Sequence, residues 1–282
     1  MKKPVQSIID TLSKKLIEEN EAWWMLEKLT GKNKTQLLLE NEIKLSPEQK
    51  IQLDEWVFER TANHKPLQYI LGSVPFCDLE ILVEPPILIP RPETEEWVSE
   101  LIDKLSSFQN KPIKILDLCT GTGCIGLALA HAFSESHVTA IDINSNAIAL
   151  AEKNKLHNHI TNITFLESDL YNKLSGQKFD IIVSNPPYIT QKDYDELDKS
   201  VKEWEDKGAL FAEEEGLAIY KKIITNAHSF LYKDSDISPK IVLELGIEQA
   251  NAVQKLLEEN NFKNIKVFQD LSSIDRWIIG TV

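Results

Sequence analysis

Cysteine is scarce in this 282-residue chain: Cys77, Cys119 and Cys124 are the full set. Their number is odd and no two are spaced C-x-x-C, so a disulfide framework is not expected and reduced, cytosolic thiols are. Long apolar runs are missing too, and none approaches the length of a membrane span. The opening segment MKKPVQSIIDTL carries two lysines but neither a continuous apolar core nor a cleavage site, so no signal peptide is expected and the cytoplasm is the default. Positive charge is in deficit, with 31 Lys and Arg against 44 Asp and Glu, a net charge of −13. Such a surface repels phosphate backbones and disfavours broad nucleic-acid binding outside a local basic patch. It leaves a basic protein partner open. The six histidines, His64, His131, His137, His157, His159 and His228, show no metal-ligand spacing. The acidic runs KEWEDK and AEEEG read as solvated faces, and no metal site is expected. There are no internal repeats and no low-complexity tract.

What is there is an ordinary globular composition, 42% hydrophobic and 27% charged, in a chain long enough for two domains. The first third reads as helical. SIIDTLSKKLIEEN and NEAWWMLEKLTG repeat apolar residues at helical spacing, and Gly31 is a natural stop. In SPEQKIQLDEWVFERTAN, Ser46 and Gln49 have capping-box spacing. Trp23 and Trp24 share a helix, one expected inside and the other open to a partner. From Pro66 the segment PLQYILGSVPFCDLEILVEPPILIPRPETEEW carries six prolines and reads as strands joined by turns, then a loop, then a helix from about Thr94. Beyond Pro112, strand-like runs (IKILDL, HVTAID, ITFLES, FDIIVS, KIVLEL) alternate with helical ones (IGLALAHAFS, NAIALAEKNKLH, GLAIYKKIITNAHSFL). That alternation predicts a doubly wound, mostly parallel α/β sheet. The tail NIKVFQDLSSIDRWIIGTV reads as an antiparallel hairpin at its edge. The expected division is a helical bundle over 1–72, a β-rich connector over 73–93 and an α/β domain over 94–282.

Two stretches carry chemistry. ILDLCTGTGCIGLALA puts three of the ten glycines, Gly121, Gly123 and Gly126, in the turn after the first parallel strand. Gly121 and Gly123 let the backbone approach a ligand, and the next helix points its N-terminus there. Asp142 closes the following strand, placed for the two hydroxyls of a ribose. G-x-G-x-x-G alone is a weak signal. A dinucleotide and S-adenosylmethionine both fit it.

The second stretch, FDIIVSNPPYI, separates them. A core strand stops at Asn185, ahead of two prolines and a tyrosine, at the ligand-binding edge of the sheet. A plain turn would explain the prolines, and Tyr188 would then be a packing residue. Methyl transfer to an amide or arylamine nitrogen explains the ordered set better. The nitrogen lone pair there is delocalised, and paired acceptors on the NH₂ group orient it and favour developing positive charge. Asn185 offers a side-chain carbonyl and Pro186 a backbone carbonyl. The Pro186 ring restricts Asn185 to extended backbone, and Tyr188 can stack on a planar group. No strong base is needed before attack, because the methylated nitrogen is acidic enough to lose its proton afterwards.

Asn-Pro-Pro-Tyr after a strand resembles the motif of methyltransferases acting on planar NH₂ groups. From about Arg60 onward the sequence resembles the HemK family, the protein-glutamine N5-methyltransferases that act on peptide chain release factors. The shared segments are PLQYILG, ILIPRPETE, ILDLCTGTG, AIDIN, SDLY, VSNPPYI, LELG with Gln249, and DL…DR between Asp270 and Arg276. The resemblance implies a class I S-adenosylmethionine-dependent methyltransferase fold, Rossmann-like, with a mostly parallel seven-stranded sheet, an antiparallel C-terminal hairpin and a small N-terminal helical bundle that contacts the substrate. It implies S-adenosylmethionine as cofactor, with S-adenosylhomocysteine as product, and the Gly-Gly-Gln glutamine of class 1 release factors as target. Cys119, Thr120, Gly121, Thr122 and Gly123 would surround the methionine part. Asp142 would bind the ribose, and Asp169 and Leu170 would border the adenine. Asn185 would touch cofactor and substrate, and Asn185, Pro186, Pro187 and Tyr188 would hold the glutamine amide. Three positions depart from the family pattern: Cys119 where glycine is common, Leu170 where an aromatic is common, and Asp206 where proline often follows the glutamate. No direct nucleic-acid or membrane contact is expected, and the enzyme is expected to be a monomer. Two rivals remain, a DNA amino-methyltransferase and a non-catalytic S-adenosylmethionine-binding scaffold. The first would need a basic cleft and a target-recognition domain, which neither the charge nor the short tail offers. An intact Asn185 argues against the second.

Overall fold

The computed structural model describes residues 3–40 and 42–282. Met1 and Lys2, which begin the segment read as lacking a signal peptide, lie outside the described residues, as does Asn41. The chain forms two compact units. One runs up to Ser73 and takes in Asp198–Trp204; the other comprises Val74–Leu197 and Glu205–Val282.

The first unit is helical, with helices at Val5–Ser13, Glu19–Thr30, Lys34–Glu40, Pro47–Ala62 and Leu67–Leu71. Apolar residues three and four apart supply its core, as in Ala22, Trp23, Met25 and Leu26, which pack with Ile9, Leu37, Leu53 and Val57. Trp23 is buried there and Trp24 is exposed. Ser46 starts the longest helix with a reciprocal cap: its Oγ accepts from the Gln49 N–H at 3.1 Å, and Gln49 Oε1 accepts from the Ser46 N–H at 2.8 Å. Leu67–Leu71 is a helical turn rather than an extended segment. Pro66 precedes it, where a missing N–H costs nothing, and Leu67 is buried. The Asp198–Trp204 segment adds a short helix, Lys199–Lys202. Trp204 Nε1 donates to the Asn63 carbonyl at 3.0 Å, and the Lys65 ammonium sits over the indole ring.

The strand Ser73–Phe76 leads into the second unit and pairs with Leu79–Leu82, and helix α1 (Pro92–Lys104) follows. Then come β1 (Lys114–Leu118), α2 (Cys124–Ala132), β2 (His137–Asp142), α3 (Ser145–His157), β3 (Ile163–Glu167), β4 (Ile181–Ser184), α4 (Ala218–Ala227), β5 (Ile241–Glu244), α5 (Ala250–Glu259), β6 (Lys263–Gln269) and β7 (Asp275–Thr281). The sheet order is β6-β7-β5-β4-β1-β2-β3. β7 pairs antiparallel with β5 and β6, and the other pairings are parallel. Successive residues face opposite sides: Ile115, Ile181, Val183 and Val242 join one core, Leu116, Ile182, Ile241 and Leu243 the other. Burial on both faces explains why these strands read as continuous apolar runs. The helix α5 was not anticipated, although Ala250, Val253 and Leu257 carry its buried stripe. The strand order reverses at β1, so the carboxyl ends of β1 and β4 flank the crevice where such sheets take ligands. Among the described residues no helix is long and apolar enough to cross a membrane.

Candidate active site

The loop after β1 is held from beneath. Asp117 is fully buried, and its Oδ2 accepts from Thr120 Oγ1 at 2.5 Å and from the Gly126 N–H at 3.0 Å. Asn154 Nδ2 donates to the Thr122 carbonyl at 2.9 Å and to the Leu82 carbonyl at 3.0 Å, tying α3 to the loop and to the leading hairpin. Cys119 and Gly121 adopt left-handed backbone, φ 61° and 55°. A glycine at position 119 would meet that demand without a Cβ, so Cys119 carries local strain that the common family residue avoids. Burial, foremost, pushes its thiol well above the ordinary value.

Burial, foremost, also pushes the Asp117 carboxyl up to about 7, against the two donated hydrogen bonds. Its Oδ1 is buried without a partner among the described residues, a position held more cheaply by a neutral acid. Between roughly pH 4 and 7 the folded chain therefore keeps a proton that the unfolded chain has released. This group's contribution to stability falls as pH rises through that window, by up to about 1.4 kcal/mol per unit. Asp117→Asn should flatten the pH dependence there, read from thermal midpoints of both proteins across the range.

A cavity of about 390 Å³ opens at this edge, bordered by Gly121, Asp142, Asp169, Leu170, Asn185 and Pro187. Cys119 also lines it, with apolar walls from Ile87, Ala147 and Ile219. The Asp142 oxygens are aimed by backbone donors: Oδ2 accepts from the Gly121 N–H at 2.8 Å and Oδ1 from the Asn144 N–H at 2.9 Å. Each oxygen retains a further lone pair. Burial raises this carboxyl above its ordinary value, and the backbone donors oppose that. Asp206 lies in the same wall, where its Oδ2 accepts from Asn144 Nδ2 at 3.1 Å. Its neighbour Glu205 is buried and pairs with Arg91 at 2.6 Å.

Asn185 directly follows β4. Its Nδ2 donates to Thr94 Oγ1 at 3.3 Å. Among the described residues no hydrogen-bond donor meets Asn185 Oδ1 or the Pro186 carbonyl. The Tyr188 phenol donates to Glu244 Oε1 at 3.3 Å, and Thr94 Oγ1 and Trp97 Nε1 both donate to Glu244 Oε2 at 2.7 Å. Gln249 Nε2 donates to the Tyr188 carbonyl at 2.9 Å and so fastens the loop.

Of the residues singled out in the sequence, Cys119, Gly121, Asp142, Asp169, Leu170, Asn185 and Pro187 share the cavity wall. Thr120 and Thr122 are buried beneath the loop, and Gly123 packs against Ala151 and Phe165. Pro186 is buried, and Tyr188 is tied by its hydroxyl to Glu244 away from the cavity lining. Thr94, Trp97 and Glu244 carry no local signal of a role. They lie in PRPETEEW and LELG, stretches that stand out in the sequence without a chemical reason. A second cavity, about 550 Å³, is lined by Lys114, His137, Thr164 and Tyr232 near the opposite ends of the strands and contains none of these residues.

Known proteins resemble the chain in both units. Residues 5–72 match the family model described as PrmC N-terminal domain, and residues 96–205 match the Methyltransferase small domain. A release factor glutamine methyltransferase of Flavobacterium psychrophilum is 38% identical, covering 97% of this chain and 95% of that protein. Proteins of the same name from Thermodesulfovibrio yellowstonii and Lactococcus lactis subsp. lactis are 39% and 42% identical, over 79% and 82% of this chain and 78% and 83% of their own lengths. Among solved structures, a ribosomal protein L11 methylase from Lactobacillus delbrueckii subsp. bulgaricus matches with TM-score 0.51 at 20% identity, covering 72% of this chain and 86% of that one. The T. Thermophilus 16S rRNA N2 G1207 methyltransferase, solved with AdoMet and guanosine, matches with TM-score 0.52 at 17% identity, covering 74% and 50%. At those identities the likeness is one of fold.

Proposed function

The chain belongs to the release factor glutamine methyltransferases, S-adenosylmethionine-dependent enzymes of the HemK family, and from that membership we propose that it methylates the side-chain amide nitrogen of the glutamine in the Gly-Gly-Gln motif of class 1 peptide chain release factors. On this reading it works in the cytoplasm as a monomer. Residues 1–72 contact the protein substrate, 73–93 connect, and 94–282 carry the chemistry.

The residues present fit the cofactor. Asp142 is an ionisable acceptor whose two oxygens are pre-aimed by backbone N–H groups, as a ribose diol requires. Gly121 has open space where a Cβ would stand, so a ligand can lie against the loop. When bound, S-adenosylmethionine supplies an electrophilic methyl group on a sulfonium. Asp142 takes the ribose hydroxyls, Asp169 and Leu170 border the adenine, and Cys119 to Gly123 surround the methionine part, with Thr120, Thr122 and Gly123 acting through the shape of the loop. Asp142→Asn is expected to weaken cofactor binding by roughly 10- to 100-fold, the loss of hydrogen bonds to a charged group. Calorimetric titration with S-adenosylmethionine checks this.

One observation carries the substrate assignment: two acceptors, Asn185 Oδ1 and the Pro186 carbonyl, meet no donor among the described residues at the end of β4. A carboxamide NH₂ has two hydrogens to give. Accepting both turns the amide nitrogen and stabilises the charge it gains on attack. Pro187 and Tyr188 complete the loop that holds the amide. The methylated nitrogen then sheds its extra proton to water. Incubation with labelled S-adenosylmethionine and a recombinant release factor should label the factor. No label, or label that survives a Gln→Ala change in the Gly-Gly-Gln tip, rules the proposal out.

A further inference from the structure

A side-chain amide is nearly symmetric in shape. Turning Asn185 by half a revolution about its last bond exchanges oxygen and NH₂ with little change in packing. Only one of the two orientations presents an acceptor to a substrate amide. The other presents a donor, which would meet the substrate NH₂ with hydrogens facing hydrogens. Something must choose between them.

We propose that Thr94 is a positioning residue for Asn185, and that Glu244 gives the Thr94 hydroxyl the polarity by which it makes that choice. The inference rests on the reading of Asn185 as the residue that accepts from the substrate amide. A hydroxyl taken alone is indifferent, since it can donate to an oxygen or accept from an NH₂. Thr94 has one proton, and it is committed to Glu244 Oε2 at 2.7 Å. What Oγ1 has left are lone pairs, and these suit only the NH₂ end of Asn185, which lies 3.3 Å away. Oδ1 must then point elsewhere, without a donor among the described residues.

The chooser is itself well fixed. Trp97 Nε1 donates to the same Glu244 oxygen at 2.7 Å, and the Tyr188 hydroxyl donates to the other at 3.3 Å. Thr94, Trp97 and Glu244 are 2%, 1% and 1% exposed, so water cannot substitute for any of these partners. Thr94 sits in the first turn of α1 and Glu244 ends β5, two rigid elements. The polarity also withstands protonation of Glu244. A proton on Oε1 leaves Oε2 a carbonyl oxygen that still accepts from Thr94. Among the residues of PRPETE, this gives Thr94 a chemical purpose that packing alone does not.

Four variants test it: Thr94→Val, Thr94→Ser, Asn185→Ala and the double variant Thr94→Val/Asn185→Ala. Single-turnover methylation of a recombinant release factor is measured alongside calorimetric binding of S-adenosylmethionine and thermal unfolding. Thr94→Val should slow methyl transfer by about 10- to 100-fold, with cofactor affinity unchanged. Thr94→Ser, which keeps the hydroxyl, should stay within about threefold. In the Asn185→Ala background, Thr94→Val should cost nothing further, because the residue it positions is gone. Wild-type rates in Thr94→Val, or a full additional loss in the double variant, overturn the inference while leaving Asn185 in place. Wild-type rates in Asn185→Ala overturn the reading of Asn185 itself, and the inference with it. Thr94→Ala serves as a second variant if valine prevents folding, with the same expected outcomes.

Discussion

Asn185→Ala should slow methyl transfer by about 10³-fold, while binding of S-adenosylmethionine changes only a few-fold. The asymmetry follows from where the side chain sits. The cavity wall is built mainly by other residues, among them Gly121, Asp142, Asp169 and Leu170, whose hydrogen bonds do not involve Asn185. Alanine leaves the backbone, and Pro186 still restricts it to the extended region. On the proposed reading, what vanishes is one of two acceptors for charge that develops only in the transition state, the kind of group whose removal costs about 10²- to 10³-fold. Loss of orientation adds to that, because an amide held at one point swivels about it. Single-turnover kinetics and calorimetry on one protein preparation separate the two effects. A loss in affinity equal to the loss in rate would mean that Asn185 serves the cofactor alone.

Gly216→Ala should cost at least 100-fold in activity from a position outside the cavity wall. Gly216 has φ +79°, and a Cβ there would overlap the Tyr188 carbonyl oxygen and Gln249 Nε2. Those two atoms form the hydrogen bond that fastens the loop after β4. Backbone cannot yield as a flexible side chain does, so the peptide carrying Tyr188 must move. A shift of about 1 Å in a reacting group is enough for a roughly 100-fold loss. The left-handed backbone adds about 1–2 kcal/mol of destabilisation. Cofactor affinity should hold, since the Gly121 and Asp142 contacts lie elsewhere. Kinetics compared with calorimetry and a melting curve would show it, and an unaltered rate would mean that the loop tolerates displacement.

Much of this was legible in the residues. The two periodicities, helical spacing before Arg60 and apolar runs after Pro112, gave the helical start and the parallel sheet, and the C-terminal hairpin takes its place at the sheet edge. Burial on both faces leaves an unambiguous mark in composition. PLQYIL is helical where an extended segment is expected, because proline marks a helix start as readily as a break and the choice rests on where Leu67 packs. The glycine loop and Asn185 were visible because their residue types are unusual where they stand. Thr94, Trp97 and Glu244 were not. Each is an ordinary residue on an ordinary element, and they meet only because α1 packs against the end of β5, with 147 positions between the indole and the carboxylate. No local pattern encodes such a meeting. Tyr188 shows the converse. Its neighbours point to a ring that can stack, and no local pattern places a carboxylate beside its hydroxyl, where Glu244 stands.

The short passage of Asp198–Trp204 through the helical unit bears on how this protein can be taken apart. The chain crosses from one unit to the other three times, not once. Severing it after Ser73 would not release a finished helical module, because Trp204, whose indole donates to the Asn63 carbonyl, would stay with the other fragment. Neither half is a transplantable cassette. Swapping one helical unit for another means exchanging two stretches of chain together, and the second begins ten residues after Tyr188, close in sequence to the Asn-Pro-Pro-Tyr loop.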